Sequence, residues 1–190
     1  MIIVGVGIGP GMMTQEAGEA IGRARLIYGS KRSIDLAREY IDPDCIVREI
    51  EDYKRLSSLP EEAVVLSTGD PMLSGLGYLP GRVIPGICSL QVACARLKIS
   101  ELDVVPITVH GRRMDPEAIA SELSRNKSVF LLTDDSTDLE GVCRLLEERG
   151  LARSVHALTD LGYPQERIER GSTASPPQAP GLSCVLIGPL

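Results

Sequence analysis

The feature that most constrains this chain is a recurring succession in which a short apolar run ends in glycine or a polar turn and a segment with helical spacing follows. Residues 1–6 form one such run, with Gly5, Gly7, Gly9 and Gly11 spaced through its end and the turn beyond. Thr14 then opens a segment that places Ala17, Ala20, Ile21 and Ala24 on one helical face. Further apolar runs fall at 45–50, 63–67, 104–109, 128–133 and 182–188, alternating with helical patterns such as Leu90, Ala93, Cys94 and Leu97 behind a Ser89 cap. Alternation of this kind predicts an α/β fold.

Two helices carry explicit start signals. Over about 138–149, Thr137 and Glu140 read as a capping box, Leu139, Val142, Leu145 and Leu146 form the buried stripe, and Gly150 ends the helix. Asp115-Pro116-Glu117 reads as an N-cap with proline in the first helical position. Between the halves, Val104 to Arg113 looks like a strand running into a polar turn. The expected division is an N-terminal α/β domain over 1–106 and a C-terminal one over 107–190, with Pro176 to Pro180 as a stiff loop before the last strand.

Composition removes several classes of function. A chain of 190 residues, 43% apolar, buries roughly 70% of its unfolded surface, so no metal or disulfide is needed as a staple. Cys45, Cys88, Cys94, Cys143 and Cys184 are odd in number and form no C-x-x-C pair, and His110 and His156 are far apart. This predicts no disulfide framework, no protein-built metal site and a reducing compartment. The N-terminus lacks a basic leader, and no uncharged run approaches the roughly 20 residues that span a bilayer. The expectation is a cytoplasmic protein with no membrane partner. A net charge of -6, no Trp and the single Phe130 leave little for a basic, aromatic-lined nucleic-acid groove.

The first glycine loop, Gly5-Val6-Gly7-Ile8-Gly9-Pro10-Gly11, is not a nucleotide fingerprint. G-x-G-x-x-G needs glycine at 10 or 12, where Pro10 and Met12 stand. No Gly-Lys-Ser/Thr follows, and Pro10 has no N–H to offer an anion. By itself the loop reads equally well as a tight strand-to-helix turn. A second loop, Ser67-Thr68-Gly69-Asp70-Pro71-Met72-Leu73-Ser74-Gly75, follows the run at 63–67. Asp70 there is either a turn residue or a ligand contact. In open α/β sheets ligands bind beyond the carboxyl ends of the strands, so the two loops are expected to face one crevice. Ile84-Pro85-Gly86-Ile87-Cys88-Ser89-Leu90-Gln91 and Val109-His110-Gly111-Arg112 come next.

The ordered set V-G-x-G-P-G, G-D-P, P-G-I-x-S-x-Q, H-G-R, a Leu-Leu-Thr-Asp strand end and Pro-Gln-Glu-Arg-Ile resembles the tetrapyrrole (corrin/porphyrin) methylases over nearly the whole chain. Tyr28 to Arg32 and Thr108 to Arg112 resemble the branch that methylates carbon 5 of cobalt-precorrin-7 in cobalamin synthesis. The resemblance implies two α/β domains with a cofactor cleft between them, S-adenosylmethionine as cofactor, and a homodimer. It implies cofactor contacts at Pro10, Asp70, Leu73, Ser89, Leu90, Leu132 and Leu161. In some organisms this branch is fused to a domain that methylates carbon 15 and decarboxylates, for which this chain has no room, so that activity is expected on a separate enzyme. Cys88 and Gly162 stand where the family has serine, and Gly77 to Gly81 is shorter than the family's usual helix there.

Methyl transfer from a sulfonium needs orientation and desolvation rather than a nucleophilic side chain. The sequence accordingly lacks a G-x-S-x-G elbow and an H-E-x-x-H helix. His110 is a candidate for moving a proton, against a structural role in the linker. An anionic tetrapyrrole docking on a protein of charge -6 needs a local positive field, for which Lys31, Arg32, Arg112 and Arg113 are the candidates, against ordinary solvated charge. The rival functions are a related enzyme with a different acceptor, or a non-catalytic ligand-binding subunit.

Overall fold

A computed structural model of the chain describes residues 1–109, 115–134 and 137–188. The chain divides into two compact units, Met1–Ser89 and Leu90–Leu190. The division expected at 106/107 cuts through a strand, Val104–Thr108, whose five residues all pair with Ser128–Leu132 of the second unit. A strand belongs with its ladder, so the boundary lies upstream of it.

The first unit contains β1 (Ile2–Gly5), α1 (Gln15–Gly22), β2 (Leu26–Gly29), α2 (Lys31–Ala37), β3 (Ile46–Glu49), β4 (Val64–Ser67) and β5 (Arg82–Ile84). The strands form one parallel sheet in the order β3-β2-β4-β1-β5. Parallel sheets are covered on both faces, and the central strands read accordingly as unbroken apolar runs. Alternate residues serve opposite faces. Val4, Val64, Leu66 and Ile84 pack with Ala17, Ile21 and Ile27 on one side, while Ile3 and Val65 pack with Leu56 and Leu79 on the other. Thr14 caps α1 by accepting from the Ala17 N–H at 3.2 Å. Tyr28, Gly29, Lys31 and Arg32 interrupt the apolar pattern through β2 and α2, each of which is short.

The second unit contains α3 (Ser89–Leu97), which begins at its boundary, then β6 (Val104–Thr108), α4 (Pro116–Ser124), β7 (Ser128–Leu132), α5 (Leu139–Glu148), β8 (Ser154–Thr159), β9 (Arg167–Ser172) and β10 (Ser183–Gly188). Its sheet is mixed, in the order β6-β7-β10-β8-β9, with β6 and β7 parallel and the remaining neighbours antiparallel. One face buries Val129, Leu131, Val155, Val185 and Ile187 against Ile119 and Leu123 of α4 and Val142 and Leu146 of α5.

The start of α5 differs in detail from the expected capping box. Asp138 is the cap, its carboxylate accepting from the Gly141 N–H at 2.8 Å. Thr137 instead bonds Asp134, its hydroxyl accepting from the Asp134 N–H at 3.0 Å. A carboxylate one residue nearer the helix outcompetes the hydroxyl for the free N–H groups, and the adjacent helix end favours its charge. Gly150 ends the helix as expected, at φ +70°. Ser89 is the first residue of α3 rather than a residue ahead of it.

Candidate functional site

Three loops at the carboxyl ends of β1, β4 and β5 are knitted together through their backbones. Beyond the paired strands, the Val6 N–H donates to the Ser67 carbonyl at 3.0 Å, and the Gly69 N–H donates to the Gly7 carbonyl at 2.8 Å. Gly7 and Gly69 thereby form an isolated antiparallel bridge between two otherwise parallel neighbours. Gly69 makes the reversal with φ +70°, a region that glycine enters without steric cost. The closeness is tighter still at the next pair. A Cβ on Gly86 would lie 2.2 Å from the Gly69 carbonyl oxygen, and one on Gly5 would lie 2.6 Å from the Gly86 nitrogen. Each of the three strands thus delivers a glycine to one junction.

Asp70 fastens that junction. Its Oδ1 accepts from the Met72 N–H at 2.7 Å, closing a local turn, and its Oδ2 accepts from the Gly86 N–H at 2.9 Å, sixteen residues away. Asp70 is thus a turn residue, the first of its two alternatives, and it also ties the β4 loop to the β5 loop. Each carboxylate oxygen keeps a further lone pair for another donor. Leu73 is half-buried three residues on, and its N–H donates to the Asp70 carbonyl at 3.1 Å. The segment Gly77 to Gly81 contains turns and no helix, and it places Leu79 in the core at 4% exposed.

Arg32 reaches this assembly from the start of α2. Its Nη2 donates to the Ile8 carbonyl at 2.7 Å, so the first turn of α2 supports the glycine loop that carries the exposed Pro10. Ser30 caps α2 by accepting from the Ser33 N–H at 3.2 Å, which sets the helix start from which Arg32 extends. Lys31, beside it, is exposed. The two members of this basic pair thus stand in different surroundings. An open cavity of about 630 Å³ lies at the ends of β2 and β3, lined by Tyr28, Arg48, Arg55, Glu49, Glu51 and Asp52 among others. Three carboxylates against two guanidinium groups give it no positive field for an anion.

In the second unit, Leu132 is half-buried at the end of β7, and Leu161, 5% exposed, follows the end of β8. Ser89 and Leu90 are half-buried at the start of α3. His110, Arg112 and Arg113 lie outside the described residues. A set of hydroxyls unmarked in the sequence joins the strand ends near Leu132 and Leu161. The Thr159 and Ser183 hydroxyls lie 3.0 Å apart, and the Thr133 hydroxyl donates to the Ser183 carbonyl at 2.8 Å. Only the position of Thr133 and Thr159 directly beyond apolar strand runs could have flagged them.

Two of the buried thiols are held in their neutral form. Burial pushes the Cys143 thiol up to about 11 and the Cys184 thiol up to about 12, so neither supplies a thiolate near neutral pH. His156 lies in the middle of β8, where burial first and the nearby Arg170 charge second hold it below the ordinary histidine range, opposed by a backbone hydrogen bond with Leu186. Its Nδ1 is buried without a hydrogen-bond partner. Among the described residues no three His, Cys, Asp or Glu side chains gather as a cation site, and no helix is long and apolar enough to cross a membrane.

Loops that offer backbone groups, small residues and one carboxylate beyond the carboxyl ends of parallel strands stand where open α/β sheets take small-molecule ligands. Comparison with known proteins gives the family of the chain. It belongs to the tetrapyrrole (corrin/porphyrin) methylases, whose family model matches residues 1–177, and so is an S-adenosylmethionine-dependent methyltransferase. A probable cobalt-precorrin-7 C(5)-methyltransferase of Methanocaldococcus jannaschii is 29% identical over 185 residues, covering 86% of this chain and 85% of that protein. The precorrin-6Y C(5,15)-methyltransferase [decarboxylating] of a Sinorhizobium species is 27% identical, covering 88% of this chain and 44% of that protein. The crystal structure of the cobalamin biosynthesis precorrin-6Y methylase from Archaeoglobus fulgidus matches with a TM-score of 0.79 at 29% identity, over 100% of this chain and 98% of that one.

Proposed function

We propose that the chain transfers a methyl group from S-adenosylmethionine to carbon 5 of a corrin precursor, cobalt-precorrin-7, in cobalamin biosynthesis. The observation that carries the reading is the joined loop set of β1, β4 and β5, with Asp70 bonded to Gly86 across it, in a chain matched over 86% of its length by a C(5)-methyltransferase relative. We further infer a cytoplasmic homodimer.

The loop chemistry fits the cofactor. Pro10 and Leu73 offer apolar surface, Thr68 and Ser89 offer hydroxyls, and Asp70 keeps acceptor capacity for a hydroxyl or ammonium group. Leu90, Leu132 and Leu161 complete the expected contacts. When bound, S-adenosylmethionine supplies an electrophilic methyl group on a sulfonium. The chain's own part is to fix the donor's orientation and to exclude water from the reacting atoms. The interlocked glycines suit that task, because a junction in which backbone touches backbone cannot relax by a rotamer change. Lys31, Arg112 and Arg113 are proposed to meet the substrate's carboxylates, and His110 is retained as a candidate proton carrier. Arg32 supports the cofactor loop and, in this reading, shares in the positive field.

The test is transfer of a labelled methyl group from S-adenosylmethionine to a panel of tetrapyrroles, with the product carbon assigned by NMR. Labelling of cobalt-precorrin-7 at carbon 5 is the expected outcome. Labelling of another macrocycle alone identifies a different acceptor, and cofactor binding with no transfer to any acceptor identifies a binding subunit.

A further inference from the structure

The loop between β8 and β9 holds one aspartate in the left-handed region. Asp160 has φ +51° and Gly162 φ +87°, so two left-handed residues flank the buried Leu161. A left-handed aspartate brings its Cβ toward the following carbonyl and is disfavoured unless its surroundings impose it. Three backbone bonds contribute: Asp160 N–H to the Leu182 carbonyl, Tyr163 N–H to the Asp160 carbonyl and Glu166 N–H to the Tyr163 carbonyl, each 3.0 Å.

The side chain of Glu166 adds a connection of longer range. Its Oε2 accepts from the Gly162 N–H at 2.9 Å, and its Oε1 accepts from Arg96 Nε–H at 2.7 Å. Arg96 stands in the last turn of α3, the helix that begins Ser89-Leu90. One carboxylate therefore fastens the loop carrying Leu161 to the helix carrying Leu90. The carboxylate is only 18% exposed, which keeps the pair from full solvent screening. Burial pushes its proton affinity up, but the Arg96 hydrogen bond and charge and the Gly162 N–H outweigh that and hold it below the ordinary glutamate range. It is ionised at neutral pH.

We propose that Glu166, through Arg96, is a positioning residue for the methyl donor, setting where Leu161 stands relative to Leu90. This rests on the reading that both leucines contact S-adenosylmethionine. The role assigned to Glu166 and Arg96 requires no contact of their own with the donor. They act by holding two contact segments at fixed spacing, and misplacement by an ångström is enough to lower the efficiency of a transfer that depends on alignment.

Calorimetric titration of S-adenosylmethionine into the full chain tests this with Glu166→Gln, Arg96→Gln and the double variant, alongside steady-state kinetics with the tetrapyrrole. Each single variant is expected to raise the cofactor Kd and KM by about tenfold, the double variant no more than either single, with the tetrapyrrole KM within about twofold of wild type. Arg96 is 45% exposed, so Arg96→Gln retains the fold even where Glu166→Gln does not, and it then decides alone. Cofactor affinity unchanged in Arg96→Gln overturns the proposal and leaves the pair a purely structural tie, whatever happens to the melting temperature. Failure of the folded wild-type chain to bind S-adenosylmethionine overturns the functional reading itself.

Discussion

Asp70 and Gly86, sixteen residues apart, are joined by a 2.9 Å hydrogen bond from the Gly86 amide to the aspartate Oδ2. The same carboxylate takes the Met72 amide on its other oxygen, so both oxygens hold neighbouring backbone before any ligand arrives. Asp70→Asn keeps the shape but can accept on only one atom, and it places an amide NH₂ against one of the two donors. A hydrogen bond to a charged acceptor contributes about 1.5–3 kcal/mol. The expected result is weaker S-adenosylmethionine binding by about tenfold or more with a lower melting temperature, read by calorimetry and thermal unfolding. Wild-type values for both would remove Asp70 from the site.

Gly86→Ala tests the backbone junction directly. The new Cβ meets the Gly69 carbonyl oxygen at 2.2 Å, and backbone cannot step aside as a flexible side chain does. Overpacking of this kind costs about 1–3 kcal/mol, or roughly 3–10 °C in melting temperature at this chain length. Gly22→Ala, at the end of α1, meets only the Tyr40 carbonyl at an ordinary 3.5 Å and should be neutral or stabilising. Equal effects at the two positions would contradict the account of the junction.

Much of the fold was legible because the pattern of apolar runs reports burial. The runs at 63–67, 128–133 and 182–188 became β4, β7 and β10, which are almost wholly buried. β9 was not legible, since Arg167-Ile168-Glu169-Arg170 is an edge strand with little to bury. Within the candidate site, the glycine motifs marked loops that the structure joins through their backbones, because those motifs stand at strand ends. The partner of each group was hidden, as no spacing rule joins Asp70 to Gly86 or Arg32 to Ile8. Those contacts depend on strand order, which places β1 between β4 and β5.

The basic pair Lys31-Arg32 should separate by function. Arg32→Ala removes the guanidinium that holds the Ile8 carbonyl and is expected to weaken cofactor binding several-fold. Lys31→Ala, at an exposed position, should leave cofactor affinity unchanged and raise the tetrapyrrole KM in a salt-sensitive manner. Identical profiles for the two variants would show that the Arg32 contact has no part in shaping the loop.

His156 predicts a pH dependence of stability. Its proton affinity is lowered in the fold from the ordinary value of 6.5, so below that pH the unfolded chain binds more protons than the folded one. Stability from this residue is therefore complete above about pH 6.5 and is lost as pH falls through the lower folded value. One such proton gives a slope of at most about 1.4 kcal/mol per pH unit. His156→Leu, which also removes the unpartnered Nδ1, should flatten urea midpoints between pH 6.5 and 5. Equal slopes in variant and wild type would assign the acid sensitivity elsewhere.

The most direct measurement of the central claim is a single-turnover incubation of the purified chain with methyl-labelled S-adenosylmethionine and cobalt-precorrin-7, without added metal and with a strong chelator present. The account predicts one labelled methyl at carbon 5 of the macrocycle, stoichiometric release of S-adenosylhomocysteine, and an undiminished rate under chelation. Cofactor binding without transfer to this macrocycle, or transfer that stops with the chelator and returns with added zinc, would contradict it.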